Sequence, residues 1–345
     1  MSMMFNRYRT IDLFAGAGGL TLGFELADRG FEPILGVEID PDAARTFKRN
    51  FGCPVFDDDI QKIDSFPDAE IIVGGPPCQG FSPLGRDRDD ASRAELNELW
   101  MEFLAAVRAV RPLAFVIENV PQFQKSAQFA HLLDDMASDP TLKEYAYSYG
   151  VLNAAEYGVP QRRKRGIFMA VRGVEEVPWP PRPTHGLEKS QPFRTVRDAI
   201  ADLPPEPTDE DLHWGRNPRA MSLERYMAVP EGGNRFDLRA NRPDLEPKCW
   251  ANKPTGTTDV MGRMWWDEPS LTIRTEFFKP EKGRYLHPEE HRPITHREAA
   301  RLQSFPDSFE FEGSKIQVAR QIGNAVPPLL GVAIANHLAD VLEGC

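Results

Sequence analysis

The stretch from residue 10 to residue 38 restricts the fold more than any other. Thr10, Ile11, Asp12, Leu13 and Phe14 form an apolar run that enters Ala15, Gly16, Ala17, Gly18 and Gly19. Leu20, Thr21, Leu22, Gly23, Phe24, Glu25 and Leu26 then read as a helix, and Pro33, Ile34, Leu35, Gly36 and Val37 make a second apolar run that ends in Glu38. Strand, glycine turn, helix and returning strand at this spacing describe a βαβ unit with a parallel pair of strands. The backbone amides of such a turn, and the helix N-terminus behind it, face a ligand. Thr21 stands where the third glycine of a pyrophosphate-binding turn would fall, which leaves room for a ligand without phosphates. Glu38 suits the ribose hydroxyls of an adenosine-type cofactor.

Two later apolar runs also end in chemically capable residues. Ile71, Ile72, Val73, Gly74 and Gly75 lead into Pro76, Pro77, Cys78 and Gln79. Proline fixes φ and lacks an amide donor, so the pair holds Cys78 out of regular structure and presents its thiol. Thiolate is the strongest nucleophile among ordinary side chains near neutral pH, whereas a small apolar core residue is the commoner fate of a lone cysteine. Ala114, Phe115, Val116 and Ile117 lead into Glu118, Asn119, Val120 and Pro121, which repeats the placement with a carboxylate. In open α/β sheets the ligand crevice lies at the carboxyl ends of the strands. Taken alone, Glu118 would read as a solvated loop residue.

In this order the motifs resemble those of the DNA cytosine-5 methyltransferases of bacterial type, over nearly the whole chain. Residues 12–19 resemble the family's S-adenosyl-L-methionine (AdoMet) loop. Gly75, Pro76, Pro77, Cys78, Gln79, Gly80, Phe81 and Ser82 resemble its nucleophile motif, and Glu118, Asn119 and Val120 its catalytic glutamate motif. Gln161, Arg162, Arg163, Lys164 and Arg165 resemble its basic motif, and residues 321–328 its carboxy-terminal one. The resemblance implies a doubly wound, mostly parallel α/β sheet of the class I AdoMet methyltransferase type, with a smaller, loop-rich target-recognition domain. It places the catalytic domain at residues 1–180, the recognition domain at 181–315 and a segment returning to the catalytic domain at 316–345.

The activity implied is methyl transfer from AdoMet to C5 of cytosine in a specific double-stranded DNA sequence, through a flipped base and a covalent bond from Cys78 to C6. By the same resemblance Glu118 donates a proton near N3, Arg165 contacts the base's O2 and orients Glu118, and Arg163 supports the pocket or a phosphate. For the cofactor, Phe14 packs on the adenine with Ile39 on its other face, Glu38 takes the ribose, and Asp59, followed by Ile60, reaches the adenine amino group. Asp12, Ala15, Gly16, Gly18 and Gly19 form the loop, and Pro76, Asn324 and Val326 complete the set, with Asn324 near the methionine end. Asp59 could equally be one more acid of the solvated run Asp57, Asp58 and Asp59. DNA contacts are expected from Ser82, Arg86, Arg88, Arg162, Arg163, Lys253, Arg263 and Arg274. Trp265 and Trp266 have a second reading, as the small core of the recognition domain.

Composition agrees without deciding. The 345 residues suffice for a large core and a second lobe. Cys53, Cys78, Cys249 and Cys345 show no CxxC pairing, so neither a metal site nor a disulfide framework is expected. No charged-then-apolar leader and no run of eighteen apolar residues is present, which points to a cytoplasmic monomer without a membrane segment. A restriction endonuclease of the same system is a candidate partner. With 41 basic and 52 acidic residues the net charge is −11, the wrong sign for holding DNA by charge alone. Arg162, Arg163, Lys164, Arg165 and Arg172 concentrate positive charge and predict salt-sensitive binding. After Val177 a proline-rich connector leads into an irregular stretch to Pro247, and the insert from Pro178 to Trp266 favours a sequence reader. An RNA-directed cytosine-5 methyltransferase and an inactive DNA-binding relative are the alternatives.

Overall fold

The computed structural model describes residues 7–77, 90–208, 210–251 and 258–344. Cys78, Ser82, Arg86, Arg88 and Lys253 lie outside the described residues. The first half alternates β1 (Tyr8–Leu13), α1 (Gly19–Leu26), β2 (Phe31–Val37), α2 (Pro41–Phe51), β3 (Val55–Phe56), β4 (Ile71–Gly74), α3 (Asp90–Val110), β5 (Ala114–Asn119) and α4 (Ala127–Ser138). It closes with β6 (Tyr145–Asn153), β7 (Gln161–Arg162) and β8 (Lys164–Arg172). Seven strands form one sheet in the order β3-β2-β1-β4-β5-β8-β6. The strands from β3 to β5 pair in parallel, and β8 runs antiparallel to both its neighbours. The doubly wound, mostly parallel sheet read from the sequence is therefore the one observed.

Strand order decides where the site falls. The chain builds outward from β1 to β3 and then returns to β4 on the other side of β1. Connections leave the carboxyl ends of β1 and β4 in opposite directions, and a crevice opens at that switch point. Leu13 pairs with both Val37 and Gly74, so the loops that follow β1, β2 and β4 start level with one another.

Alternate residues of the central strands feed two cores, because successive side chains point to opposite faces. Ile71, Val73, Val116, Ile167 and Met169 pack with Leu20 and Phe24 of α1 on one face. Ile72, Phe115, Ile117 and Phe168 pack with Phe103 and Val107 of α3 and Leu132 of α4 on the other. Helix α2 starts at a clear signal: Asp40 accepts from the amides of Asp42 and Ala43, with Pro41 just inside.

The second half holds α5 (Val196–Ile200), α6 (Ala220–Met227), α7 (Arg235–Asn241), α8 (Lys248–Ala251), β9 (Gly262–Arg263), β10 (Ser270–Leu271), β11 (Arg284–Leu286), α9 (His296–Leu302), α10 (Lys315–Asn324) and α11 (Pro328–Glu343). Its strands pair only in twos, β11 with β9 and β10 with β7, and the latter pair joins this half to the strand entering β8. A capping box opens α9, with the Thr295 amide donating to Glu298 at 2.7 Å and the Glu298 amide donating to the Thr295 hydroxyl at 3.2 Å.

The stretch Lys315–Glu343 is long and apolar enough to cross a membrane by length and composition. It is two helices separated at Ala325, and Leu330, Ile334 and Leu338 of α11 are wholly buried against α1 and the sheet. The contact of α11 with α1 depends on paired glycines. A Cβ on Gly23 would lie 2.5 Å from both the Gly331 Cα and the Pro328 carbonyl oxygen. Gly23→Ala should therefore push the helices apart and destabilise the fold by about 1–3 kcal/mol, the usual cost of overpacking. Urea unfolding would read this; an unshifted midpoint would mean the helices separate freely.

Candidate active site

The loop after β1 turns sharply, and its backbone shows how. Phe14 has φ 58° and Gly18 has φ 86°, so the chain enters the left-handed region on both sides of the turn. Phe14 is half-buried, an unusual conformation for an aromatic residue. The Ala15 amide donates to the Val37 carbonyl at 3.0 Å, tying the loop to the end of β2. Glu38 follows β2 directly, and its carboxylate accepts from the Gly16 amide at 2.7 Å and the Asp40 amide at 2.8 Å. Burial pushes the Glu38 carboxyl up, and these amides pull against that shift.

Asp12 does not face the crevice as expected of a cofactor ligand. It is 2% exposed and lies beneath the loop, where the Thr21 hydroxyl donates to its carboxylate at 2.5 Å. Thr21, which the sequence offers only as an absent glycine, is thus the donor that holds Asp12. Burial pushes the Asp12 carboxyl up to about 7; the Thr21 bond opposes this, and Glu38 and Glu118 add to it.

The remaining cofactor candidates are spread along the same rim. Ile39 is 65% exposed. Asp59 accepts from the Gln61 amide at 3.1 Å, capping a short turn whose first residue, Ile60, is buried. Pro76 and Val326 are buried, and Asn324 is exposed at the end of α10.

Glu118 ends β5 and is buried. Arg165, at the start of the antiparallel β8, reaches it with Nε 2.7 Å from Oε1. Burial pushes the Glu118 carboxyl up; Arg165 and then Arg163 pull it back, and the net direction is up. The β4 loop lies close, since a Cβ on Gly75 would come within 3.0 Å of Glu118 Oε2. Asn119 donates from Nδ2 to the Pro76 carbonyl at 3.0 Å.

Arg163 is too enclosed to contact a phosphate; of its two expected roles, only support from within is compatible with its position. It is 1% exposed, and it donates to the carbonyls of Ile273 at 2.9 Å, Gly323 at 2.8 Å and Ala325 at 2.9 Å. Gln161 holds the other side of the same residue, accepting from the Ile273 amide at 2.9 Å. Gln161 also donates to Gln303 at 2.8 Å, and Gln303 donates to the Ile322 carbonyl at 2.5 Å. The basic run is accordingly less of a surface than its charge suggests. Arg162 is exposed but pairs with Glu268, Arg165 serves Glu118, and Lys164 is exposed.

Arg263 is a second correction. It is 2% exposed and donates to the carbonyls of Val229 at 2.8 Å and of Tyr226, His287 and Glu290 at 2.6 Å each. Burial pushes its guanidinium down to about 10. A side chain so enclosed cannot reach a base edge; it braces the second half of the chain instead. Arg274 is exposed. Trp265 carries the Arg284 guanidinium over its ring at 4.0 Å, and Trp266 meets His287 edge-on at 5.2 Å, so both tryptophans belong to the packing of this half.

The comparisons agree with this geometry. The family of C-5 cytosine-specific DNA methylases matches residues 8–340. The Type II methyltransferase M1.HphI of Haemophilus parahaemolyticus is 35% identical over 343 residues, 94% of this chain and 85% of that protein. The Type II methyltransferase M.NgoFVII of Neisseria gonorrhoeae is 35% identical over 346 residues, 98% of this chain and 88% of that protein. Among solved structures, a prophage-encoded DNA modification methyltransferase from Escherichia coli superimposes with a TM-score of 0.74 at 26% identity, covering 97% of this chain and 99% of that one. The chain belongs to the C-5 cytosine-specific DNA methylases and is a DNA cytosine-5 methyltransferase.

Two outcomes follow from the buried groups. Asp12 holds its proton up to about pH 7 when folded, against an ordinary value of 3.8. Its contribution to stability is therefore complete below the lower value and disappears as pH rises through the upper one. Asp12→Asn keeps an acceptor for Thr21 and cannot titrate, so the stability of the wild type relative to the variant should fall between those two values in urea titrations. A pH-independent difference would contradict the assignment. Arg263→Ala should destabilise the protein by about 2–4 kcal/mol, since bonds to a charged donor are lost and carbonyls are stranded. Methylome sequencing should return the wild-type site set; a relaxed site set would restore Arg263 as a reader.

Proposed function

We propose that the enzyme methylates C5 of cytosine in a specific double-stranded DNA sequence, taking the methyl from AdoMet, by flipping the target base and adding Cys78 to its C6. The observation that carries this reading is the buried Glu118, gripped by Arg165 at the end of β5, beside the loop that leads to Cys78. Cytosine C5 is too weak a nucleophile to accept an electrophile unaided. A thiolate bond to C6 makes the ring an enamine with a nucleophilic C5, dividing one hard step into easier ones.

Negative charge then develops toward N3. A carboxyl that stays protonated near neutrality can donate a hydrogen bond or proton there, and burial biases Glu118 toward that form. Arg165 fixes its orientation. Loss of the C5 proton and elimination of the Cys78 sulfur complete the cycle. A stacked base cannot enter such a site, so the nucleotide must leave the duplex.

The residues at the switch point fit AdoMet. Glu38 presents a carboxylate fixed by two backbone amides, Phe14 and exposed Ile39 offer apolar surface, and no glycine-rich pyrophosphate cradle is completed because Thr21 serves Asp12. Glu38 would hold the ribose, Phe14 and Ile39 the adenine, and Asn324 the methionine end. AdoMet supplies there an electrophilic methyl on a sulfonium. The protein would act as a cytoplasmic monomer, with a restriction endonuclease as the partner that gives the methylation its use. The insert from Pro178 to Trp266 favours duplex DNA over tRNA as substrate.

Single-turnover methylation of duplex DNA tests the chemistry. Cys78→Ser should abolish it while sparing DNA and AdoMet binding, because a hydroxyl is far less acidic than a thiol. Glu118→Gln should slow it by about two to four orders of magnitude, the scale of positioned acid–base catalysis. Substantial turnover in the serine variant, or undiminished chemistry in the glutamine variant, would contradict the assigned roles.

A further inference from the structure

The β4–β5 ladder ends at Gly74 opposite Ile117, two residues before Pro76 on one strand and two before Asn119 on the other. Beyond that point no strand pairing holds the described residues of the β4 loop, and neither Pro76 nor Pro77 has an amide to donate. The loop is held instead by a side chain. Asn119 is 5% exposed; its Nδ2 donates to the Pro76 carbonyl at 3.0 Å, and its Oδ1 accepts from the Val120 amide at 2.8 Å. The second bond fixes the flip of the amide, so that nitrogen rather than oxygen faces Pro76. Gly75 allows the same loop to lie against Glu118, with a Cβ position 3.0 Å from Oε2.

We propose that Asn119 is a positioning residue: it replaces the missing ladder bond between β4 and β5, and so sets the separation between the chain leading to Cys78 and the carboxyl of Glu118. The proposal rests on the covalent reading above. Cys78 follows β4 in sequence, and Glu118 lies past the last β4–β5 pair, where β8 still pairs with it. A misplacement of about 1 Å can cost about a hundredfold in rate. The neighbouring Glu118 is gripped by Arg165 from β8, so loss of the Asn119 bond should move the β4 loop and leave the acid in place. Asn119→Ala removes the donor. Asn119→Asp presents an oxygen to the Pro76 oxygen when ionised and an O–H donor when protonated.

The test is the rate of covalent adduct formation on a duplex carrying 5-fluorocytosine, with AdoMet present, across a pH series. Asn119→Ala should slow adduct formation about ten- to a hundredfold, with duplex affinity unchanged and with a ratio to wild type that does not vary with pH. For Asn119→Asp the ratio to wild type should rise as pH falls, as the protonated carboxyl regains its bond to Pro76. That comparison is made within one folded variant, so it stands even if the alanine variant folds poorly. Wild-type adduct rates in the alanine variant, or a flat ratio for the aspartate variant, would overturn the proposal. Trapping in the wild type that survives Cys78→Ser would instead overturn the covalent reading beneath it.

Discussion

One buried guanidinium joins the parts of this enzyme that must act together. Arg163 donates to a carbonyl in the segment before Arg274 and to two carbonyls flanking Asn324. Bonds from a charged donor contribute about 1.5–3 kcal/mol each, and more is lost when one partner is removed and the others stay buried. Arg165, two residues along the same chain, holds Glu118. Glu118, the segment at Ile273 and the turn around Asn324 are thus referred to one short stretch of backbone. Gln161 adds a second grip on Ile273, so both backbone groups of that residue are bound by side chains of a single motif.

This use of arginine also leaves an acidic protein that works on DNA with fewer surface cations than its composition suggests. Arg163, Arg263, Arg284 and Arg292 are all buried, and each supplies several donors to carbonyls that short, irregular elements leave without partners. The second half of the chain shows only short strands among its described residues, and arginine forks take over the role of satisfying its backbone. The net charge of −11 therefore understates how few of its cations are free at the surface. Lys164 and Arg274 are exposed.

Much of the site could be read from residue order, because strand ends are marked by composition. The apolar runs at β2 and β5 located Glu38 and Glu118 at their ends, and those at β1 and β4 located the loops beside them. What could not be read was the direction of the long cationic side chains. A basic run resembles a solvated face whether its guanidiniums point outward or into carbonyl cages, and Arg163 and Arg263 do the latter. Asp12 was misplaced for a related reason: its partner is a threonine nine residues away, in a position defined by what it lacked. Edge strand β6, whose Tyr147, Tyr149 and Val151 remain partly exposed, has too little apolar contrast to stand out. The short helix α7 is set by the capping box at Asn234, and arginine bonds to Leu245 and Glu246 tie α6 and α7 in place, where apolar periodicity gives little signal.

The central claim is the identity of the substrate, and sequencing of 5-methylcytosine tests it most directly. The chain would be expressed in a methylation-free bacterial host and both genomic DNA and tRNA examined at base resolution. The expected result is 5-methylcytosine at one short motif throughout the duplex genome and at no new position in tRNA. Unmodified DNA alongside a newly methylated tRNA cytosine would contradict it.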